Sequence, residues 1–151
     1  MRRHEKEIQD EKEIRDILQK GLVCRLGLCD GQQPYIVSMN YGYRDGCMYF
    51  HCAREGRKID ILKSNDRVCI EVDIDTRIVR GDAPCRWTTK YRSVIGFGRA
   101  SIIDDEALKR AGLDVIMSHH GASGGEYDEK ALQRISVIKV VLDSMTGKQS
   151  L

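Results

Sequence analysis

Apolar and polar positions alternate along most of this chain, with helical spacing confined to a few short stretches. Residues 5–20, "EKEIQDEKEIRDILQK", place Ile14, Ile17 and Leu18 on one helical stripe, and Gly21 is a natural stop. Residues 1–20 are therefore expected to form an N-terminal helix. "GLVCRLGLCDGQQPYIVSMNYGYRDGCMYFHCA" then reads as three strands. "DGQQP" separates the first two, and the Asp-Gly of "YRDG" predicts a hairpin between the second and third. "GRKIDILKSN" predicts a short helix, and "RVCIEVDID" a strand with Val68, Ile70 and Val72 on one face.

"TRIVRGDAPC" reads as a loop. "RWTTKYRSVIGFGRASIID" predicts a long strand in which the glycines mark a bulge. Asp104 or Asp105 caps the next helix, "EALKRAGLDVIMSHH", which ends at Gly121. "GASGGEY" is a loop, "DEKALQRI" a short helix, and "SVIKVVLDSMTGK" a closing strand and turn. The count is about six strands, mostly joined by hairpins, with a helical excursion over 104–134. Short antiparallel strands at regular spacing predict a mainly β protein with short α-helices, arranged as a small barrel. No repeat, linker or low-complexity tract divides it, so residues 1–151 are expected to form one domain.

Composition narrows the function classes. With 151 residues, 41% hydrophobic and 32% charged, the chain suits an ordinary folded domain. A net charge of +2 gives no footprint for nucleic acid or a membrane surface. No apolar run reaches the roughly 18 residues of a membrane helix, and the charged N-terminus lacks a signal region, so a cytoplasmic location is expected. The six cysteines form no CxxC motif, and most sit in apolar segments. Cys47 and Cys52 are five apart on one strand and point to opposite faces, so free thiols are expected and no metal site.

The stretch "HCAREGRK" carries the candidate chemistry. A strand ends near Ala53, and Gly56, Arg57 and Lys58 open a helix. Free N–H groups, the helix dipole and two cations make a receptor for a phosphate dianion. The same residues also suit a solvated helix start. No Walker loop or Rossmann fingerprint is present; "GFGRAS" lies inside a strand and "GASGGE" in a loop. His51 shares a strand face with Tyr49 and Cys47, just before the cationic turn, and is the one catalytic candidate. His119 and His120 close a helix, where their charge suits its negative end. Ser38 and Ser93 lie in strands rather than on a nucleophile elbow. Evident side-chain chemistry is absent, which suits a protein whose cofactor does the chemical work.

Four blocks, "PYIVSMNYGY", "MYFHCAREGRKIDILKSNDRVCIEVD", "CRWTTKYRSVIGFGRASIIDD" and "MTGKQS", resemble the pyridoxamine 5'-phosphate oxidase-related flavoproteins. The branch they resemble is the 5-nitroimidazole reductase-like, nitroimidazole-resistance group. The resemblance runs from about Glu13 to the C-terminus, with the blocks in the family's order. It implies an FMN-binding split β-barrel and a homodimer with FMN at the subunit interface. It assigns Gly56, Arg57 and Lys58 to the FMN phosphate and His51 to the flavin's vicinity. Val37, Ser38, Met39, Asn40 and Tyr41 match the strand beside the ring, and Ser93 and Val94 a second flavin-contacting strand. Trp87 and Tyr91 are expected to reach the site from the partner subunit.

The function this implies is FMN-dependent reduction of a small electron-poor acceptor such as a nitroimidazole, with NADH or NADPH as donor. The alternatives are a non-catalytic flavin- or haem-binding protein, a protein holding a deazaflavin, or a pyridoxamine-phosphate-oxidase-like enzyme acting on another substrate.

Overall fold

The computed structural model describes residues 3–151. One antiparallel sheet of eight strands dominates it: β1 (Glu7–Ile8), β2 (Val23–Asp30), β3 (Gln33–Asn40), β4 (Gly42–Arg44), β5 (Cys47–Ala53), β6 (Arg67–Val79), β7 (Thr88–Ile103) and β8 (Ile135–Ser150). The order is β3-β2-β6-β7-β8-β5-β4, with β1 on β8. The sheet curls until β3 approaches β5. No ladder joins those two strands among the described residues, and this seam is the split of a split β-barrel. Among the described residues four α-helices complete the fold, α1 (Glu11–Lys20), α2 (Arg57–Ser64), α3 (Glu106–His119) and α4 (Glu129–Arg134), with short 3-10 turns at His4–Lys6 and Pro84–Arg86.

Local sequence explains several elements. Asp45 and Gly46, at φ 50° and 76°, form the two-residue turn expected between β4 and β5; positive φ at both positions matches the twist of a tight hairpin. Asp105 caps α3, accepting a hydrogen bond from the Leu108 N–H at 2.9 Å. The expected bulge in the glycine-rich strand is the register shift between Phe97 and Gly98.

Other elements depart from the sequence reading because distant partners decide them. The N-terminal helix spans Glu11–Lys20 rather than residues 1–20, of which Met1 and Arg2 lie outside the described residues. Asp10 caps it from an extended conformation. Before the cap, Ile8 pairs with Gly147 and is buried in the core. A Cβ at Gly147 would lie 2.8 Å from the Ile8 side chain, so glycine makes this close crossing possible. The expected loop "TRIVRGDAPC" is strand as far as Val79, and the expected turn "MTGK" is strand throughout. The stretch read as three strands over 21–53 contains four, because the chain breaks at Tyr41, whose ring turns into the core.

The main core lies inside the barrel. Tyr41, Met48, Phe50, Ile70, Val72, Val94 and Ile138 are fully buried there, and α1 seals it with Ile14, Ile17 and Leu18. The buried Tyr41 hydroxyl donates to the Leu18 carbonyl at 2.7 Å, which satisfies both groups and ties α1 to the sheet. A smaller cluster of Ile103, Leu113, Ile116, Leu132 and Val137 lies under α3 and α4.

Candidate functional site

The turn from β5 into α2 is the centre of the site. Gly56 caps α2 at φ 124°, a conformation L side chains rarely adopt, and no side chain caps this helix end. The helix N-terminus therefore remains open to an outside acceptor. Arg57 lies over the Tyr35 ring at 4.6 Å and pairs with Asp30 at 3.3 Å. Those contacts pin the turn against the start of β3 and use part of the Arg57 charge. Lys58 is half-buried and forms no ion pair among the described residues. Its charge reaches Cys52, whose thiol is nevertheless pushed up because burial outweighs the cation.

Edge strand β3 runs beside this turn. Ser38 and Asn40 are exposed, whereas Val37 and Met39 lean inward against the core. β3 has a ladder partner on one side only, so its other edge offers free N–H and C=O groups along the seam. His51 is exposed at the end of β5, on the face of Tyr49 and Cys47 as expected. Val37 to Asn40 thus lie on the edge strand, His51 at the end of β5 and Gly56 to Lys58 at the start of α2, and Arg57 on Tyr35 is the contact that joins the turn to β3.

The remaining predicted residues lie elsewhere. Tyr41 and Val94 are fully buried, with side chains committed to the core, so only their backbone can face a ligand. Ser93 is three strands away from β3, roughly 14 Å at ordinary strand spacing. Trp87 and Tyr91 belong to an arm formed by the far ends of β6 and β7. The Trp87 indole donates to the Gly81 carbonyl at 2.9 Å and its ring is half exposed. Within one chain these arm residues do not join the turn at α2.

Several polar groups have structural roles. The His119 ring bridges the Gly21 carbonyl, at 2.7 Å from Nε2, and the Tyr43 N–H, at 3.3 Å from Nδ1. It packs on Tyr41 with ring centroids 4.8 Å apart. Nδ1 must accept from Tyr43, so the ring is neutral with its proton on Nε2. Burial holds its pKa below the usual histidine value. The Tyr127 hydroxyl donates to Asp114 at 2.7 Å, and its pKa is pushed up to about 12, first by burial and then by that carboxylate. All six cysteines are free thiols, and burial pushes Cys24 up to about 12. No group of three metal-ligating side chains occurs among the described residues.

The outer face of the sheet has a feature that the sequence pattern did not flag. Ile36, Gly27, Cys69, Phe97 and Ser144 form one row across five strands. Ile36 is 67% exposed and Phe97 57% exposed. Gly27 has no side chain to fill the space between them, which leaves an apolar cavity of about 510 Å³. Arg25 flanks it, bonded to Glu71 at 3.0 Å and to Asp73. The sequence signal was available: Ile36, Ile95 and Phe97 are apolar at positions whose neighbours already supply the core.

This architecture recurs in solved proteins. A candidate 5-nitroimidazole antibiotic resistance protein of Bacteroides thetaiotaomicron VPI-5482 is 33% identical, with a TM-score of 0.84 over 95% of this chain and 86% of that one. A flavocytochrome of Azotobacter vinelandii shares the fold at 19% identity, with a TM-score of 0.84 over 100% of this chain and 72% of its own. A FAD- and haem-binding protein of Mycobacterium smegmatis does so at 17% and 0.81, over 96% and 73%. The sequence profile described as pyridoxamine 5'-phosphate oxidase matches residues 10–149. The chain belongs to the pyridoxamine 5'-phosphate oxidase family, and its likeness at 33% identity is to the nitroimidazole-resistance branch. An uncharacterised protein of Rhizobium meliloti (strain 1021) is 29% identical over 65 residues, a match spanning 43% of this chain and 42% of that relative. Among the described residues no helix is long and apolar enough to cross a membrane.

Proposed function

We propose that this protein binds FMN and uses it to reduce a small electron-poor acceptor such as a nitroimidazole, with NADH or NADPH as donor. The observation that carries this reading is the open N-terminus of α2. Gly56 leaves it uncapped, Lys58 and part of Arg57 supply positive charge, and the free edge of β3 runs away from it along the seam. A phosphate at the helix end meets N–H groups and a lysine, as a monoester requires. A flat ring along the seam meets strand backbone and the exposed side of Ser38 and Asn40. FMN supplies the two-electron chemistry; the residues of this chain bind it, orient it and expose one edge.

The proposal includes a homodimer. The exposed Ile36–Gly27–Phe97 row is apolar and unpartnered, as a self-complementary interface would be. A second copy there would also let Trp87 and Tyr91 of the partner subunit approach the seam.

The decisive measurement is the absorption spectrum and mass of the ligand extracted from purified protein, followed by anaerobic reduction with NADH or NADPH. The expected result is FMN, bleached by the nicotinamide and reoxidised by a nitroimidazole faster than free FMN. Protein that neither carries nor takes up FMN would sink the reading. A second reading, a flavin- or haem-binding protein without turnover, is favoured by the α2 turn itself, where no histidine–carboxylate pair forms among the described residues. Tight FMN binding with no acceleration across a panel of acceptors decides for it.

A further inference from the structure

The arm built from the far ends of β6 and β7 contains an arrangement that costs energy in isolation. Asp75 adopts φ 57°, left-handed for a non-glycine residue, at a register shift between Ile74 and Arg77. Beyond that shift Arg77 stands directly opposite Lys90. Directly opposed strand residues have Cβ atoms about 4.5–5.5 Å apart, and like charges so placed repel. Neither cation has an ion-pair partner among the described residues. The nearby acids are engaged elsewhere: Asp75 accepts two hydrogen bonds from Arg92, at 2.9 and 2.6 Å, and Asp73 accepts from Thr76 and pairs with Arg25. More positive charge lies close by, for Lys148 sits over the Tyr91 ring at 5.9 Å and Lys6 donates to the Ser150 hydroxyl.

The two opposed cations open onto a cleft of about 430 Å³, lined by Asp75, Thr76, Arg77, Lys90, Tyr91 and Leu151. Lys90 and Tyr91 are half-buried, so part of the repulsion lies in a medium of lower dielectric than water. The bulge at Asp75 sets the register that produces the Arg77–Lys90 opposition.

We propose that this cleft is an anion-binding site, in which Arg77 and Lys90 together clamp a multiply charged oxyanion of a small molecule. A clamped anion turns the repulsion into two charge-assisted contacts, and Arg77 brings a planar fork suited to carboxylate or phosphate. The shared chemistry is a phosphate or carboxylate group. Its two sources are the pyrophosphate of a dinucleotide and a carboxylate-bearing small molecule. Within one chain the cleft lies outside the α2 turn.

The test uses the full chain saturated with FMN, so that the α2 turn is filled. Should FMN not bind, Lys58→Gln replaces saturation as the way to blank that turn. Thermal unfolding is followed against pyrophosphate and, separately, malonate, at constant ionic strength. For the unsubstituted protein, Tm is expected to rise by roughly 5–10 °C at about 100-fold over Kd. A larger response to pyrophosphate assigns the dinucleotide source, and a larger response to malonate the carboxylate one. Arg77→Gln and Lys90→Gln are expected to abolish the rise. Without added anion at low salt, each variant is expected to melt at or above the unsubstituted protein, since one half of the repulsion is gone. Equal anion responses in all three proteins overturn the proposal. So do variants that melt lower without anion, because the cations would then be satisfied within the fold.

Discussion

Cys69 and Ile70 are neighbours in β6, yet they live in different surroundings. Ile70 is fully buried among Leu26, Val72 and Val94, whereas Cys69 lines the open cavity beside Gly27 and Phe97. The same division runs through β2, β3 and β7, because successive side chains of a strand point to opposite faces. The inner face is spent on the core. The outer face keeps exposed apolar groups, a glycine hollow and a charged cluster of Arg25, Glu71 and Asp73. The lesson is that one set of strands builds a packed core and an open apolar face in alternate letters, so the two are open to separate attack.

The largest expected effect is on the inner face. Phe50 is fully buried and packs at 6.3 Å, centroid to centroid, from Tyr41. Phe50→Ala is expected to destabilise the fold by about 3–5 kcal/mol, read by denaturant unfolding. A loss below about 1 kcal/mol would mean that the barrel interior is not the packed core described above. On the outer face the opposite holds. Phe97→Asp is expected to leave chain stability within about 0.5 kcal/mol while turning a dimer into a monomer by light scattering. A dimer that survives Phe97→Asp would show that the exposed row serves some other contact.

At the α2 turn, Lys58→Ala is expected to weaken FMN affinity by about 1.5–3 kcal/mol with little change in unfolding, since a charge-assisted contact is lost and no core atom moves. Arg57→Ala should cost less, because Asp30 and Tyr35 already share its charge and ring contacts. Reversal of that order, measured by fluorescence titration, would place the phosphate on the Tyr35 side of the helix instead.

What the chain revealed in advance follows from how local each decision is. The Asp45–Gly46 turn and the Gly56 helix start need only their own residues, and both were legible. The placement of Arg57 and Lys58 in the first turn of that helix was legible for the same reason. By contrast, Glu7–Ile8 is strand because Gly147 lies opposite, and Thr76–Val79 is strand because Thr88–Lys90 returns beside it. No window around those segments contains the partner. Register, likewise tertiary, hid the opposition of Arg77 and Lys90. The alternation that buries Val94 with Gly96, Gly98 and Ala100 was readable, and it shows that Val94 faces inward. Tyr41 was misleading, since an aromatic ring beside exposed Asn40 turns inward to satisfy the Leu18 carbonyl.

The smallest expected effect tests where the inner face ends. His119 joins the end of α3 to Gly21 and Tyr43, and its Nδ1 must stay unprotonated to accept the Tyr43 N–H. The groups facing it are Tyr41, fully buried, and His120, whose ring lies 5.3 Å away and whose charge also disfavours protonation. Burial, the larger cause, lowers its pKa in the fold from the ordinary 6.5. The unfolded chain therefore binds this proton more readily than the folded one. The His119 contribution is complete above pH 6.5 and is lost as pH falls below that value towards the lower folded pKa. Since the ring is only about half-buried, solvent screening keeps the effect modest. Unfolding of the unsubstituted protein is expected to become easier between about pH 7 and 5, and His119→Gln to flatten that slope while costing some stability at pH 7. An identical slope in His119→Gln would assign the pH dependence to other groups and leave α3 held to the barrel by packing alone.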